Sequence, residues 1–371
     1  MSRKTICLIV AGIFCVSMLA ACGGGEQAPA DEEQARPADA AAETQAPADG
    51  VTYTVNVNIT GAESALPSHG KVFRELEEAS GGRLKFDIFY ANSLMAIQDI
   101  PKGIQTGVAE ISMFPSNNFT SQMPLNSRIL QLPFIGLKDP KESVEILTQL
   151  QNEFPEMQKE FEDLGMTNLG NFAFPPYHLH FTGKDKEIRV PADVRGMKLI
   201  TNKIEFFEAL TAAGAAPVQM PPPETYSSLE KNVADGYVNN YAFEMLFGLT
   251  ELVNVHTEFG DYGAWVDFAC MVINTDFLNS LPEDLQELIK NTFAEKSYLF
   301  SDDQMNMSQE AIDIGVERGN LFVKLTDDEL AEWMDLARPS HEKAIEEISK
   351  NSPAARAIYE RALELIEERF G

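Results

Sequence analysis

Cysteine is scarce in this 371-residue chain: Cys7, Cys15, Cys22 and Cys270 are the complete set. Three of them lie in the amino-terminal 22 residues, which leaves one thiol for a folded body. A lone thiol excludes an intrachain disulfide and a cysteine-rich metal centre there. Basic residues are also few, 29 against 57 acids, for a net charge of −28. Such a surface repels phosphate backbones, so nucleic acid is excluded as a partner. The longest apolar run, from Ile6 to Ala21, is shorter than the ~20 residues a membrane-spanning helix needs. Enzyme motifs are missing too: there is no phosphate-binding loop, no G-x-S-x-G elbow, no C-x-x-C pair and no EF-hand loop. His341-Glu342 starts like a zinc-protease helix, but Ile345 stands where the second histidine would be. No catalytic residue, cofactor or metal is expected.

What is present begins with a processing signal. Arg3 and Lys4 precede the apolar run, which ends in Leu19-Ala20-Ala21-Cys22. A short apolar segment closed by small residues suits a secretory leader, and the cysteine after it resembles the lipobox of bacterial lipoproteins. Residues 1–21 are therefore expected to be removed, with Cys22 carrying lipid and anchoring the protein outside the cytoplasm. Residues 22–50 hold no aromatic and no aliphatic side chain larger than alanine. They cannot bury enough apolar area to offset their ordering entropy, and they read as a tether.

The body alternates strand and helix. Val51–Ile59 alternates apolar and polar residues, a strand pattern, and 70–79 carries apolar residues at helical spacing. Strands follow at 84–90, 109–114, 167–173, 179–182, 198–201, 235–239 and 268–273. Helices are expected at 97–106, 142–164, 204–213 and 225–231, and after Ile273 the chain reads as almost entirely helical. The helices expected there cover 283–297, 300–318, 327–337 and 340 to the end. This is an α/β pattern of parallel sheets wrapped by helices. No second low-complexity linker divides it. Two lobes with chain crossovers are expected, 51–177 with 266–305 and 178–265 with 306–371.

The densest motifs lie between Ile188 and Asn240. Asp193-Val194-Arg195-Gly196-Met197-Lys198 is followed by Gly214-Ala215-Ala216-Pro217-Val218, then Pro221-Pro222-Pro223-Glu224-Thr225-Tyr226, then Asp235-Gly236-Tyr237-Val238-Asn239. In this order they resemble the solute-binding proteins of TRAP transporters, the DctP family. Gly81-Gly82, Tyr90-Ala91-Asn92, Leu132-Pro133-Phe134 and Leu281-Pro282-Glu283 extend the resemblance over about Val51 to the carboxyl end. The resemblance implies a class II periplasmic-binding-protein-like fold, with hinge crossovers and a long interlobe helix. It also implies capture of a small organic solute between the lobes and delivery to a small and a large membrane subunit.

One departure bears on the ligand. In the resembling family an arginine two residues beyond the lysine of D-x-x-G-x-K grips a ligand carboxylate; here that position is Ile200. A second position that often carries arginine is His180. Isoleucine cannot form a charge-assisted fork, and Lys203 is not an equivalent clamp. The expected ligand contacts are His180, Ile200, Asn202, Lys203, Asn239, Tyr237, Tyr177, Phe174, Pro222, Thr60 and Trp265. Tyr241 is expected on the strand face of Tyr237 and Asn239. His178 and His180 face one side of a strand and could share a metal, but packing, hydrogen bonding or ligand contact is the simpler reading. The alternatives are a binding lipoprotein of an ABC transporter or sensor, and a lipoprotein hydrolase using His178 or His180.

Overall fold

The computed structural model describes residues 50–183, 187–260 and 263–370. The leader, Cys22 and nearly all of the tether lie outside them. The body opens with β1 (Tyr53–Asn58), α1 (Pro67–Ala79), β2 (Leu84–Phe89), α2 (Ile100–Gln105) and β3 (Ile111–Pro115). Alternation in β1 buries Val55 and Val57, and the 3.6-residue stripe of α1 lays Val72, Phe73 and Leu76 on them. Gly81 and Gly82 turn the chain from α1 into β2 with φ of 64° and 78°, which a side chain would disfavour. Then come α3 (Pro124–Arg128), α4 (Pro140–Glu153), α5 (Pro155–Glu162) and β4 (Met166–Ala173).

The chain next enters a second layer. It contains β5 (His178–Phe181), β6 (Lys198–Ile200), α6 (Ile204–Ala212), β7 (Ala216–Val218), α7 (Thr225–Glu230), β8 (Gly236–Asn239), α8 (Tyr241–Leu246) and β9 (Val255–Glu258). It returns as β10 (Phe268–Asn274), α9 (Thr275–Ser280), α10 (Glu283–Lys296) and α11 (Tyr298–Arg318), and finishes with β11 (Leu321–Lys324), α12 (Asp327–Ser349) and α13 (Ala355–Phe370). The first sheet has the order β2-β1-β3-β10-β4, the second β11-β9-β5-β8-β6-β7. β10 runs antiparallel to β3 and β4, so the first sheet is mixed rather than parallel throughout.

Two crossings between the sheets pair with each other. Phe174 N–H donates to Asp267 O at 2.9 Å, Tyr177 N–H to Trp265 O at 3.1 Å, and Ala264 N–H to Tyr177 O at 2.7 Å. The long helix expected between the lobes is α11. Its Asp303 accepts hydrogen bonds from Ser68 N–H and Oγ–H at the start of α1, while its Ser308 Oγ accepts from Ala242 N–H in α8.

In the almost entirely helical tail one strand, Leu321–Lys324, fills the gap between two expected helices and pairs with β9 at the sheet edge. Two expectations fail on particular residues. Pro339 does not divide two helices; α12 runs through it, and the break comes after Ser349. The carboxyl-terminal residues do not all join the second lobe. Ala344, Ile345 and Ile348 of α12, with Ala355, Ile358 and Ala362 of α13, bury against Ile146, Leu147 and Leu150 of α4. The apolar stripe of α4 needs a cover, and these helices supply it.

Candidate functional site

A cleft of about 730 Å³ lies between the two sheets' carboxyl-side loops. The first lobe contributes Gln98, Asn117, Thr120, Phe174, Asp267 and Gln304, and the second contributes residues 200–205, 219–222, 237–240, Phe243 and Phe247. Trp265 and Tyr177, on the paired crossings, stack with ring centroids 4.7 Å apart and form one wall. Tyr237 and Phe243, centroids 5.8 Å apart, form another.

The floor is built at the end of β6 and β8. Ile200 pairs with Tyr237 across these parallel strands and packs into a cluster with Leu229, Leu249 and Val253. Its side chain is apolar where a carboxylate clamp would need a guanidinium. Lys203, next to the start of α6, is buried. Its Nζ donates to Gln131 Oε1 at 3.3 Å and stands 3.9 Å from Asp267 Oδ1. Asp267 Oδ2 in turn accepts from Asn117 Nδ2 at 2.8 Å. Burial and the nearby Asp267 carboxylate push the Tyr177 hydroxyl well above its ordinary value, so it stays protonated as a donor. The cation of the cleft is thus already faced by an acid.

Most of the expected contacts converge here. Phe174, Tyr177, Ile200, Asn202, Lys203, Pro222, Tyr237, Asn239 and Trp265 all line the cleft. Asn202 is exposed, its Nδ2 donating to Met220 O at 3.2 Å. Two expected contacts lie elsewhere. Thr60 is engaged with Met113 Sδ at 2.7 Å, and His180 is fully buried beneath the floor, stacked on Tyr237 with centroids 4.9 Å apart. His180 faces away because Nε2–H donates to Asn239 O and Nδ1 faces Glu244 and His256. His178 does not share a ligand with it; its Nδ1 accepts from Phe259 N–H at 3.2 Å.

Tyr241 is not on the strand face. β8 stops at Asn239 because Asn240 caps a helix, its Oδ1 accepting from Phe243 N–H at 3.0 Å. That helix carries Phe243 into the cleft, with Phe247 just beyond its end; the i, i+4 spacing in the sequence could have indicated the pair. Asp267 could have been noticed as a lone acid within Ala264-Trp265-Val266-Asp267-Phe268. A larger depression, about 800 Å³, lies on the first lobe between α4, β4 and α10–α11. At its floor Asn171 Nδ2 donates to Gln151 Oε1 at 2.8 Å and to Thr148 Oγ1 at 3.1 Å.

With two sheets, paired crossings and an interlobe cleft established, comparison with known proteins is decisive. The family model of bacterial extracellular solute-binding proteins, family 7 (DctP), matches residues 68–347. The chain belongs to this family. The C4-dicarboxylate-binding periplasmic protein DctP of Rhodobacter capsulatus is 24% identical over 286 residues, 76% of this chain and 83% of that one. A TRAP solute-binding protein from Rhodoferax ferrireducens T118, solved with copurified benzoate, superposes with a TM-score of 0.76 at 20% identity, covering 85% of this chain and 98% of its own. A marine metagenome TRAP solute-binding protein specific for aromatic acid ligands, solved with 3-hydroxybenzoate, gives 0.76 at 21% identity over 86% of this chain and 100% of its own. The family is one of extracytoplasmic solute receptors rather than enzymes. Among the described residues no helix is long and apolar enough to cross a membrane.

Proposed function

We propose that this receptor captures a small organic molecule with a sizeable apolar or aromatic portion, a monocarboxylate or a neutral compound, and not a simple C4-dicarboxylate. The observation that carries this reading is the cleft floor. Ile200 replaces a clamp, and Lys203 already faces Asp267, while Phe174, Tyr177, Tyr237, Phe243 and Trp265 offer stacking surfaces. Burying a second carboxylate without a cation would cost several kcal/mol. A single carboxylate held by Lys203, Tyr177 or backbone groups would cost less. The benzoate and 3-hydroxybenzoate found with two structural neighbours support an aromatic acid. A thermal-shift panel tests the reading, because ligand at 100 times its Kd adds about 2.7 kcal/mol. Benzoate-like acids or their neutral amides should shift the transition, and succinate, malate and fumarate should not. A large shift with succinate alone would overturn it.

The receptor acts, in this proposal, by binding without turnover and passes the solute to a small and a large TRAP membrane subunit. Lipid on Cys22 would hold it at the extracytoplasmic membrane face. Cys22→Ser should abolish incorporation of labelled palmitate and release the protein from the membrane fraction. Equal labelling of the variant would refute the anchor.

A further inference from the structure

Beneath the cleft floor, three Lewis bases from three elements meet at one point. His180 Nδ1 of β5 lies 2.8 Å from Glu244 Oε1 of α8 and 2.9 Å from His256 Nδ1 of β9, and His256 Nδ1 lies 3.4 Å from Glu244 Oε1. The three side chains are 0%, 1% and 1% exposed. Glu244 Oε1 accepts no well-formed hydrogen bond. A neutral imidazole carries one proton, and His180 spends it on Asn239 O at 2.9 Å, which leaves a lone pair at Nδ1 facing the carboxylate. His256 can bring at most one proton of its own into the triangle. One added positive charge, a metal ion or a proton on His180 Nδ1, would satisfy this centre.

We propose that His180, Glu244 and His256 form a binding site for one divalent cation of the zinc class. Two imidazoles and one carboxylate are a donor set for borderline metals such as Zn²⁺ or Co²⁺, not for Mg²⁺ or Ca²⁺, which take oxygen ligands in larger number. Ligands about 2.0–2.1 Å from a tetrahedral zinc stand roughly 3.3–3.4 Å apart. One edge of the triangle already has that length, and the other two need to open by about half an ångström. Donation from His180 Nε2–H to a backbone carbonyl is the outer contact that orients metal-bound histidines. Tyr237, stacked on His180 and with a buried hydroxyl that has no hydrogen-bond partner, is a candidate fourth oxygen. The ion requires one adjustment. Asn320 Nδ2 now stands 3.0 Å from His256 Nε2 and 3.0 Å from Val253 O, and metal on Nδ1 would place a proton on Nε2. The amide would then turn to accept from Nε2–H with Oδ1, giving up its bond to Val253 O. Tyr237 and Asn239 line the cleft, so the ion would stiffen the surface on which the solute rests.

The test uses the full chain, extracted in detergent, purified without a histidine tag and stripped with a chelator. Zn²⁺ titrated against a chromophoric competitor should bind at one equivalent and raise the melting temperature. Co²⁺ should give the visible bands of a tetrahedral site. Glu244→Gln and His256→Gln should each lower affinity roughly 100-fold or more. Should neither variant fold, X-ray absorption of the zinc-loaded wild type decides, with two imidazole nitrogens and a carboxylate oxygen expected around the metal. No tight equivalent, no tetrahedral cobalt spectrum, or affinity unchanged in the variants would overturn the site; the last would place the ion on surface acids, and the first two would leave the triangle held by protons.

Discussion

His69 of α1 is buried with its ring stacked on Phe300, centroids 3.8 Å apart, and edge-on to Phe172 at 6.1 Å. Neither ring nitrogen has a hydrogen-bond partner. Burial lowers its pKa from 6.5 to about 3. Between those values the unfolded chain binds the proton and the folded one does not. Its contribution to stability is therefore complete above about pH 6.5 and is lost progressively as pH falls toward 3. From about pH 7.5 to about pH 5 the loss should be about 2 kcal/mol. His69→Leu should remove that part of the slope, so the variant's stability should gain about 2 kcal/mol on that of the wild type between about pH 7.5 and pH 5, read from urea midpoints. Parallel pH profiles would show that the ring finds a partner in solution. Other residues were readable from their neighbours in sequence. Cys270, set in an apolar run, is buried, and burial raises its thiol above the ordinary range, as befits a small hydrophobe. Glu244 and His256 were not readable, because nothing in the sequence places either of them near His180 before α8 and β9 fold against β5.

Elements were legible where periodicity ran long. The two-residue alternation of β1 and the apolar stripe of α1 predict both elements within a few residues, because each buries a single face. Short strands carried less signal. β7, β9 and β11 have three or four residues each, and β11 is recognised only through its pairing with β9. A three-residue strand holds barely one alternation, so its hydrogen-bond partner defines it. Capping and proline worked against simple reading in opposite ways. Asn240 ended β8 earlier than the apolar face of Tyr237, Asn239 and Tyr241 suggested. Pro339 failed to end α12, although it removes the hydrogen bond to Asp335 O and should weaken the turn. Packing of Trp333 and Ala337 on the second lobe before it, and of Ala344 and Ile345 on the first lobe after it, holds the helix together across that fault. Local propensity yields to tertiary contacts on both sides.

At the scale of the whole molecule, the same long elements that join the lobes should make them unfold together. The paired crossings at 174–177 and 264–267, α11 and α12 all contact both halves. One further link is ionic. Arg128 of α3 places Nε 2.9 Å from Glu205 Oε1 of α6, with side chains 11% and 4% exposed. Burial lowers the Arg128 pKa, but Glu205 and Glu347 outweigh it, and the guanidinium remains charged. Glu205→Gln would leave Arg128 with Glu347, at 3.2 Å and 60% exposed, as its remaining ionic partner. Removing one partner of a buried pair costs roughly 3–5 kcal/mol, and the retained contact favours the lower end. The variant should therefore lose about 3 kcal/mol in urea unfolding, read as an earlier midpoint at unchanged slope. Because the pair spans the lobes, that loss should move a single transition and not split it. Trp265 and Trp333 both pack in the second lobe's core, so their fluorescence would follow that lobe while far-ultraviolet circular dichroism follows the whole molecule. A variant whose transition separates into two steps would show that the lobes unfold independently and that Arg128–Glu205 was the contact coupling them. A midpoint unchanged from wild type would mean that Glu347 alone suffices to hold the buried guanidinium.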